Sequence, residues 1–325
     1  MLWFSKNRIY PIGVDMGDDI IKMVQLAGNG NGLSVIAGGS EHRPEDVKPN
    51  SSNWQRWAIE AIHKLTTDGK FRGRDVIAVM PANGVFIDHI KTPKIKDGSQ
   101  NAKKGVWNSD DKLRDAVFSK IKQKLPFEPD DALLKYIPSE DDNVLVIASE
   151  RRIINRHLAI YEKAGLLIKS IGVWPIALIN SYTRFFGRRK ADIEATVMLL
   201  ETDANCTNVV ICHHKNLLFA RSIPIGAKQL DSDEVITRLV LELTACKRHF
   251  GSMHSKAQIE RLIFLSAQAG TKNIYATIAK QLEMPAQIGN CLAAVEIEDS
   301  RHSGMDRRDC QVNWATAFGL SLSLS

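Results

Sequence analysis

"IGVDMGDDIIKMVQL", residues 12–26, places a turn with three carboxylates between two apolar runs. The runs are short and rich in β-branched residues, which reads as a β-hairpin with strands at Ile12–Asp15 and Ile20–Leu26. A third strand, Leu33–Ala37, follows the loop "GNGNG". The same texture returns in "TVMLLETDANCTNVVICHHKNLLFARSI", residues 196–223, again strand, short turn, strand, turn, strand. With Asp15 laid over Glu201, Gly17 falls on Asp203 and Lys22 on Asn208, and the apolar positions largely coincide. A repeat of this kind predicts two duplicated lobes that each open with one hairpin.

Helical spacing follows the first triplet of strands. Trp54, Trp57, Ala58, Ala61, Ile62 and Leu65 recur on one face, with Ser52 or Asn53 as the expected N-cap. "DVIAVMP" (75–81) reads as a buried strand stopped by Pro81. The texture then changes. A polar stretch (97–109) leads to a helix over Asp110–Leu125, the strand "NVLVIAS" (143–149) and a helix over Ile153–Ala164 ended by Gly165. The strand "LIKSIGVW" (167–174) and a helix from Pro175 to about Phe186 restore the opening style. The expected division is a first lobe of 1–85 plus 170–190, an inserted α+β subdomain at 86–169, and a second lobe of 191–325. In the second lobe, a helix over Glu234–Phe250 stopped by Gly251, the strand 261–266 and a helix over Ile274–Leu282 are expected. A last helix from about Trp314 is expected to pack back on the first lobe.

Composition narrows the function classes. The 325 residues are 44% hydrophobic and 25% charged, ordinary globular material for two lobes. No stretch reaches the ~18 continuous apolar residues of a membrane span, and the N-terminus lacks a secretory h-region. Five scattered cysteines suit a reducing cytoplasm better than a disulfide framework. "CTNVVICHH" reads as a strand, which sets Cys206 and Cys212 roughly 20 Å apart, too far to share a zinc ion. The net charge of +6 has two local concentrations, 91–105 and "GRRK" at 187–190. Neither alternates with aromatics as single-strand nucleic-acid readers do, so no nucleic acid is expected. The two runs read as a solvated loop and a linker, or as a contact with an anionic membrane surface or an acidic partner.

The order of landmarks resembles the actin-like ATPase superfamily, in particular the type IV pilus assembly protein PilM family and its cell-division relative FtsA. The series runs from "IGVDMGDDIIKMVQL" through "AVMPANGVFIDHIKTP" (78–93), "VIASERRIINRHLAIYEKAGL" (146–166) and "VWPIAL" (173–178). It continues with "NLLFARSIPIGAKQL" (216–230) and closes at "NWATAFGLSLS" (313–323). The resemblance implies a mixed α/β, ribonuclease H-like fold in two lobes, with a nucleotide cleft between them.

In that fold two glycine-bearing turns approach a triphosphate from opposite sides, and a third, glycine-rich loop lies under the adenosine. By family position Asp15 would hold Mg²⁺ through water, Gly17 would allow close approach and Lys22 would neutralise phosphate charge. The chain departs from the pattern at all three contacts. Asp18 and Asp19 take the usual hydroxyl positions; they read as a polar β-turn, or as a metal site. One carboxylate about 4 Å from a phosphate oxygen costs roughly 4 kcal/mol at an effective dielectric near 20. Glu201 stands for an aspartate and Asp203 for a glycine, while Thr207 and Asn208 remain as polar donors. After "RLIFLS", which ends at Ser266, the chain has "AQAG", where Gly270 alone keeps the flexibility of the adenosine loop. Trp174 reads as core or interface rather than catalytic.

These departures point to a pseudo-ATPase: no catalytic residue, no metal and no cofactor are expected, with Mg-ATP held through Asp15 as the alternative. The resemblance implies a cytoplasmic assembly component at the inner membrane, in a homo-oligomeric ring. It would dock the cytoplasmic tail of a single-pass membrane protein of a pilus or type II secretion machine. An active ATPase is the competing expectation. Membrane tethering of the cell-division kind would want a C-terminal amphipathic helix, where this sequence has "GLSLSLS".

Overall fold

The computed structural model describes residues 8–28, 32–91, 109–138, 143–265, 271–297, 305 and 312–323. A two-residue strand β1 (Arg8–Ile9) is followed by β2 (Ile12–Met16), β3 (Ile20–Gly28) and β4 (Leu33–His42), the last three antiparallel in sequence order. Helix α1 (Ser52–Asp68) buries Trp54, Ala58, Ala61, Ile62 and Leu65 on the face set by their spacing. Its cap is Ser51, one residue before the expected pair, whose side chain accepts from the Trp54 amide at 3.1 Å. Strand β5 (Asp75–Met80) then runs parallel to β2.

The chain next builds a separate three-stranded antiparallel sheet. It comprises β6 (Phe86–Lys91), helix α2 (Ser109–Ile121), β7 (Ala132–Pro138) and β8 (Asn143–Glu150), with strand order β6-β8-β7. Its own small core sets Val117 and Ile121 against Ile90, Val144 and Val146. Helix α3 (Arg151–Lys163) and β9 (Leu167–Val173) return to the first lobe. The inserted subdomain therefore ends near Glu150 and not at 169. Ile160, Tyr161 and Leu166 belong to the core that holds Trp54 and Val14, and β9 pairs in parallel with β5. Gly165 follows α3 at φ +75°, a left-handed helix end that glycine adopts without strain.

After α4 (Trp174–Phe185) and α5 (Lys190–Glu194), the second lobe repeats the first. Strands β10 (Thr196–Thr202), β11 (Thr207–His213) and β12 (Asn216–Ile223) are antiparallel. Helix α6 (Asp233–Met253) leads to β13 (Arg261–Phe264), and α7 (Lys272–Gln281) leads to β14 (Ala286–Ile288). Ser232 caps α6, which runs past Gly251 as far as the buried Met253. The strand order β12-β11-β10-β13-β14 matches β4-β3-β2-β5-β9, antiparallel and parallel pairings included. The duplication reaches single residues. Asp15 pairs with Lys22 and Glu201 with Asn208, at one common offset. The two turns close alike, Gly17 N–H donating to Ile20 O at 3.0 Å and Asp203 N–H to Cys206 O at 2.8 Å.

The chain then crosses back. Strand β15 (Glu296–Ile297) pairs with β4 of the first lobe, and helix α8 (Ala315–Ser321) packs on α4 and β2. Helices α4 and α8 fill the layer between the two sheets. One core cluster joins Val24 and Val79 of the first sheet to Val197 and Val210 of the second through Leu178 and Phe318. Among the described residues no helix is long and apolar enough to cross a membrane.

Candidate functional site

The two duplicated turns face each other across a cleft of about 810 Å³ lined by Asp15, Gly17, Asp18, Asp19, Lys22, Glu201 and Asp203. The hairpin register puts the Lys22 ammonium beside Asp15, with Nζ 2.6 Å from Oδ2. It also lies 3.8 Å from Asp203 Oδ1 of the other lobe. Burial disfavours the charged ammonium, but Asp15, Asp203 and Glu201 more than offset this and hold it well above the ordinary lysine range.

Glu201 is buried and accepts from Thr316 Oγ1 at 2.7 Å, Asn208 Nδ2 at 3.1 Å and Asn313 Nδ2 at 3.2 Å. Burial, then the charge of Asp203, pushes its carboxyl up to about 8. Asp203 is also raised, by burial in the cleft and by Asp15, with Lys22 opposing. Asp18 is raised by burial and by its neighbour Asp19, although Asn83 Nδ2 donates to its Oδ2 at 2.8 Å. A second anion brought to this wall therefore meets carboxyl groups that already resist ionisation.

Asp19 is the exception. Burial acts to raise it, but Lys228, Arg43 and Asn205 together hold it below the usual carboxylate range. Its Oδ1 takes the guanidinium of Arg43, and its Oδ2 accepts from Lys228 Nζ at 2.7 Å and Asn205 Nδ2 at 3.0 Å. Asp19 is thus more than a polar turn residue, because it ties the first hairpin to the second lobe.

The remaining expected residues fall elsewhere. Thr207 is buried and donates its hydroxyl to Ile225 O at 2.7 Å, away from the cleft. Asn208 occupies the place of Lys22 in the second hairpin and is committed to Glu201. Ser266 and Gly270 lie outside the described residues, as do residues 92–105 of the basic run. Trp174 is buried at the cleft wall, and its indole N–H has no partner among the described residues. Among the described residues no three His, Cys, Asp or Glu side chains are grouped to hold a metal ion. The sequence reading missed Arg43, Asn205, Lys228, Asn313 and Thr316. All but Arg43 stood in quoted stretches, but nothing local marks a residue whose partner is remote in sequence.

Duplicated sheets with facing hairpins, helices α4 and α8 between them, and a subdomain inserted after β5 define an actin-like fold. Within that class, residues 13–248 match the family described as type IV pilus assembly protein PilM, and the chain belongs to it. The fold is similar to a solved PilM–PilN type IV pilus biogenesis complex, at 17% identity and a TM-score of 0.77 over 96% of this chain and 98% of that one. A lesser likeness, TM-score 0.51 and 10% identity over 97% and 94% of the chains, is to the cytoplasmic domain of EpsL, an inner-membrane component of the type II secretion system of Vibrio cholerae. No curated protein sequence matches the chain.

Proposed function

We propose that this chain is a non-enzymatic assembly component of a type IV pilus or related secretion machine. In this reading it works at the cytoplasmic face of the inner membrane, in a ring of copies, and docks the cytoplasmic tail of a single-pass membrane protein. The observation that carries the non-enzymatic part is Lys22 held between Asp15 and Asp203. The cation that would meet phosphate is already neutralised, and an acidic side chain stands where a phosphate-binding turn needs bare backbone. Mg-ATP does not fit these residues. The turn amides of Gly17 and Asp203 each donate within their own hairpin.

The docking part is supported by family membership and by the other end of the same cleft. There the wall is apolar, with Val85, Phe86 and Ile87 entering the insert, Pro126 and Phe127 leaving α2, and Ile153 on α3. An extended tail with alternating apolar side chains suits such a groove between insert and lobe. The test is calorimetric titration with a synthetic peptide, the cytoplasmic tail of a single-pass pilus membrane protein from the same genome. Saturable binding that weakens in Phe86→Glu is expected; no binding to the intact protein refutes the docking.

The alternative is an active ATPase, for which Asp15, Gly17 and Lys22 are the features retained at the cleft among the described residues. It requires Mg-ATP to raise the melting temperature where Mg²⁺ alone does not.

A further inference from the structure

In a two-lobe fold of this kind, a bound nucleotide is an anion gripped from both sides, so that the ligand itself fastens the lobes. This chain has side chains in reciprocal contact across the same gap. From the first hairpin, the Asp19 carboxylate reaches Lys228 and Asn205 of the second lobe at 2.7 and 3.0 Å. From the second, Asp203 reaches Lys22 of the first lobe at 3.8 Å. Each crossing charge is also anchored at home, Asp19 by Arg43 and Lys22 by Asp15. We infer that this internal network replaces a nucleotide as the clamp between the lobes, so that the cleft is closed by the chain's own charges and needs no ligand.

A lone surface pair would not carry this. The Lys228 side chain is 60% exposed, and salt would screen its attraction to an equally exposed partner. Its partner is different. Asp19 is 15% exposed and Arg43 12%, so the anion sits at the bottom of a three-donor socket. The socket also explains why Asp18, one residue away and favoured by Arg43 only through its charge and not in a direct ion pair, resists ionisation while Asp19 does not. A phosphate entering the turn would have to displace Asp19 from its three donors and pass Asp18 and Asp203.

The inference rests on the non-enzymatic reading and is independent of tail docking. Its test is hydrogen exchange at the turn amides of Gly17 and Asp203 in the intact protein, in Asp19→Asn, in Lys228→Met and in the double variant. Lys228 is exposed enough that its replacement leaves the fold intact. Each single change is expected to speed exchange in both turns by about tenfold, and the double variant no further. Exchange that changes only in the mutated lobe, or effects that add in the double variant, overturn the clamp alone. Mg-ATP is expected to leave exchange in the intact protein unchanged. Protection of both turns by Mg-ATP overturns the clamp and the non-enzymatic reading together.

Discussion

Lys22 Nζ lies 2.6 Å from Asp15 Oδ2, with the two side chains only 3% and 12% exposed. Two charges withdrawn from water tolerate each other's presence and not each other's absence. Removing one partner of such a pair costs about 3–5 kcal/mol, because the other charge is left buried and unpaired. Lys22→Met is expected to lower the unfolding free energy by about 3 kcal/mol in urea titrations. Adding Asp15→Leu should recover part of that loss. Strictly additive losses would mean that the pair is not coupled.

The buried carboxyl of Glu201 predicts a pH dependence of opposite sense to that of most acidic groups. Its folded value, pushed up to about 8, lies above the ordinary glutamate range, so the folded state holds a proton that the unfolded state releases. The contribution is full below about 4.5, the ordinary glutamate value, and is lost as pH rises through about 8; the raised Asp203 acts in the same direction. Glu201→Gln keeps an acceptor for Thr316 and cannot ionise. Melting curves across this range should flatten in the variant, and an unchanged slope would place the titration elsewhere.

Sequence reasoning carried the architecture further than the site. The hairpin repeat rests on alternation and turn chemistry, which are local, and the offset that pairs Asp15 with Glu201 recurs in the strand registers. The end of the insert was misplaced because α3 and β9 look like any helix and strand. Only the position of α7 and β14 in the second lobe shows that they complete the first. At the cleft, single residues were legible as charges but not as partners. Asp19 drew notice as a repulsive carboxylate, whereas its role depends on Arg43 and Lys228, which are remote in sequence and have no fixed spacing to it. Thr207 fits a polar donor by position, but its hydroxyl points to Ile225, a partner that strand periodicity does not specify.

The interlobe layer depends on two glycines, one in α8 and one in β2. A side-chain carbon on Gly319 would stand 1.8 Å from Ala177 O, and one on Gly13 would stand 2.1 Å from Ala317 O. Both obstacles are backbone, so neither can swing aside. Gly319→Ala is expected to cost about 3 kcal/mol, at the upper end for overpacking, by forcing α8 off α4. Calorimetry should show a lower melting temperature, whereas Gly251→Ala, inside α6 with open space around it, should hold it or raise it slightly.

The insert is held to the second lobe by a neutral histidine. His89 stacks on Phe219 with centroids 4.5 Å apart, and its Nε2 accepts from the Ala220 amide at 3.3 Å, a bond that requires an unprotonated nitrogen. Burial, then the nearby His249, lowers His89 to about 4. A depressed histidine contributes stability that is present above its ordinary value and lost as pH falls toward 4. Limited proteolysis should therefore release the insert more readily at acidic pH. His89→Lys, charged throughout, should show that sensitivity already at neutral pH, and equal protection in both proteins would remove His89 from the contact.

The sharpest separation between scaffold and enzyme comes from restoring what the cleft has lost. Asp203→Gly returns bare backbone to the second turn, and Asp18→Ser returns a hydroxyl to the first while removing a half-buried acid. Each deleted carboxylate relieves repulsion of roughly 4 kcal/mol per unit charge pair at about 4 Å and an effective dielectric near 20, a factor approaching a thousand in affinity. Lys22, freed from Asp203, would face the cleft with one carboxylate partner in place of two. The double variant is expected to gain a calorimetric signal with Mg-ATP that the parent lacks. An enzyme built on these residues would behave in the reverse manner, binding Mg-ATP as found and losing or merely keeping that binding when they are changed.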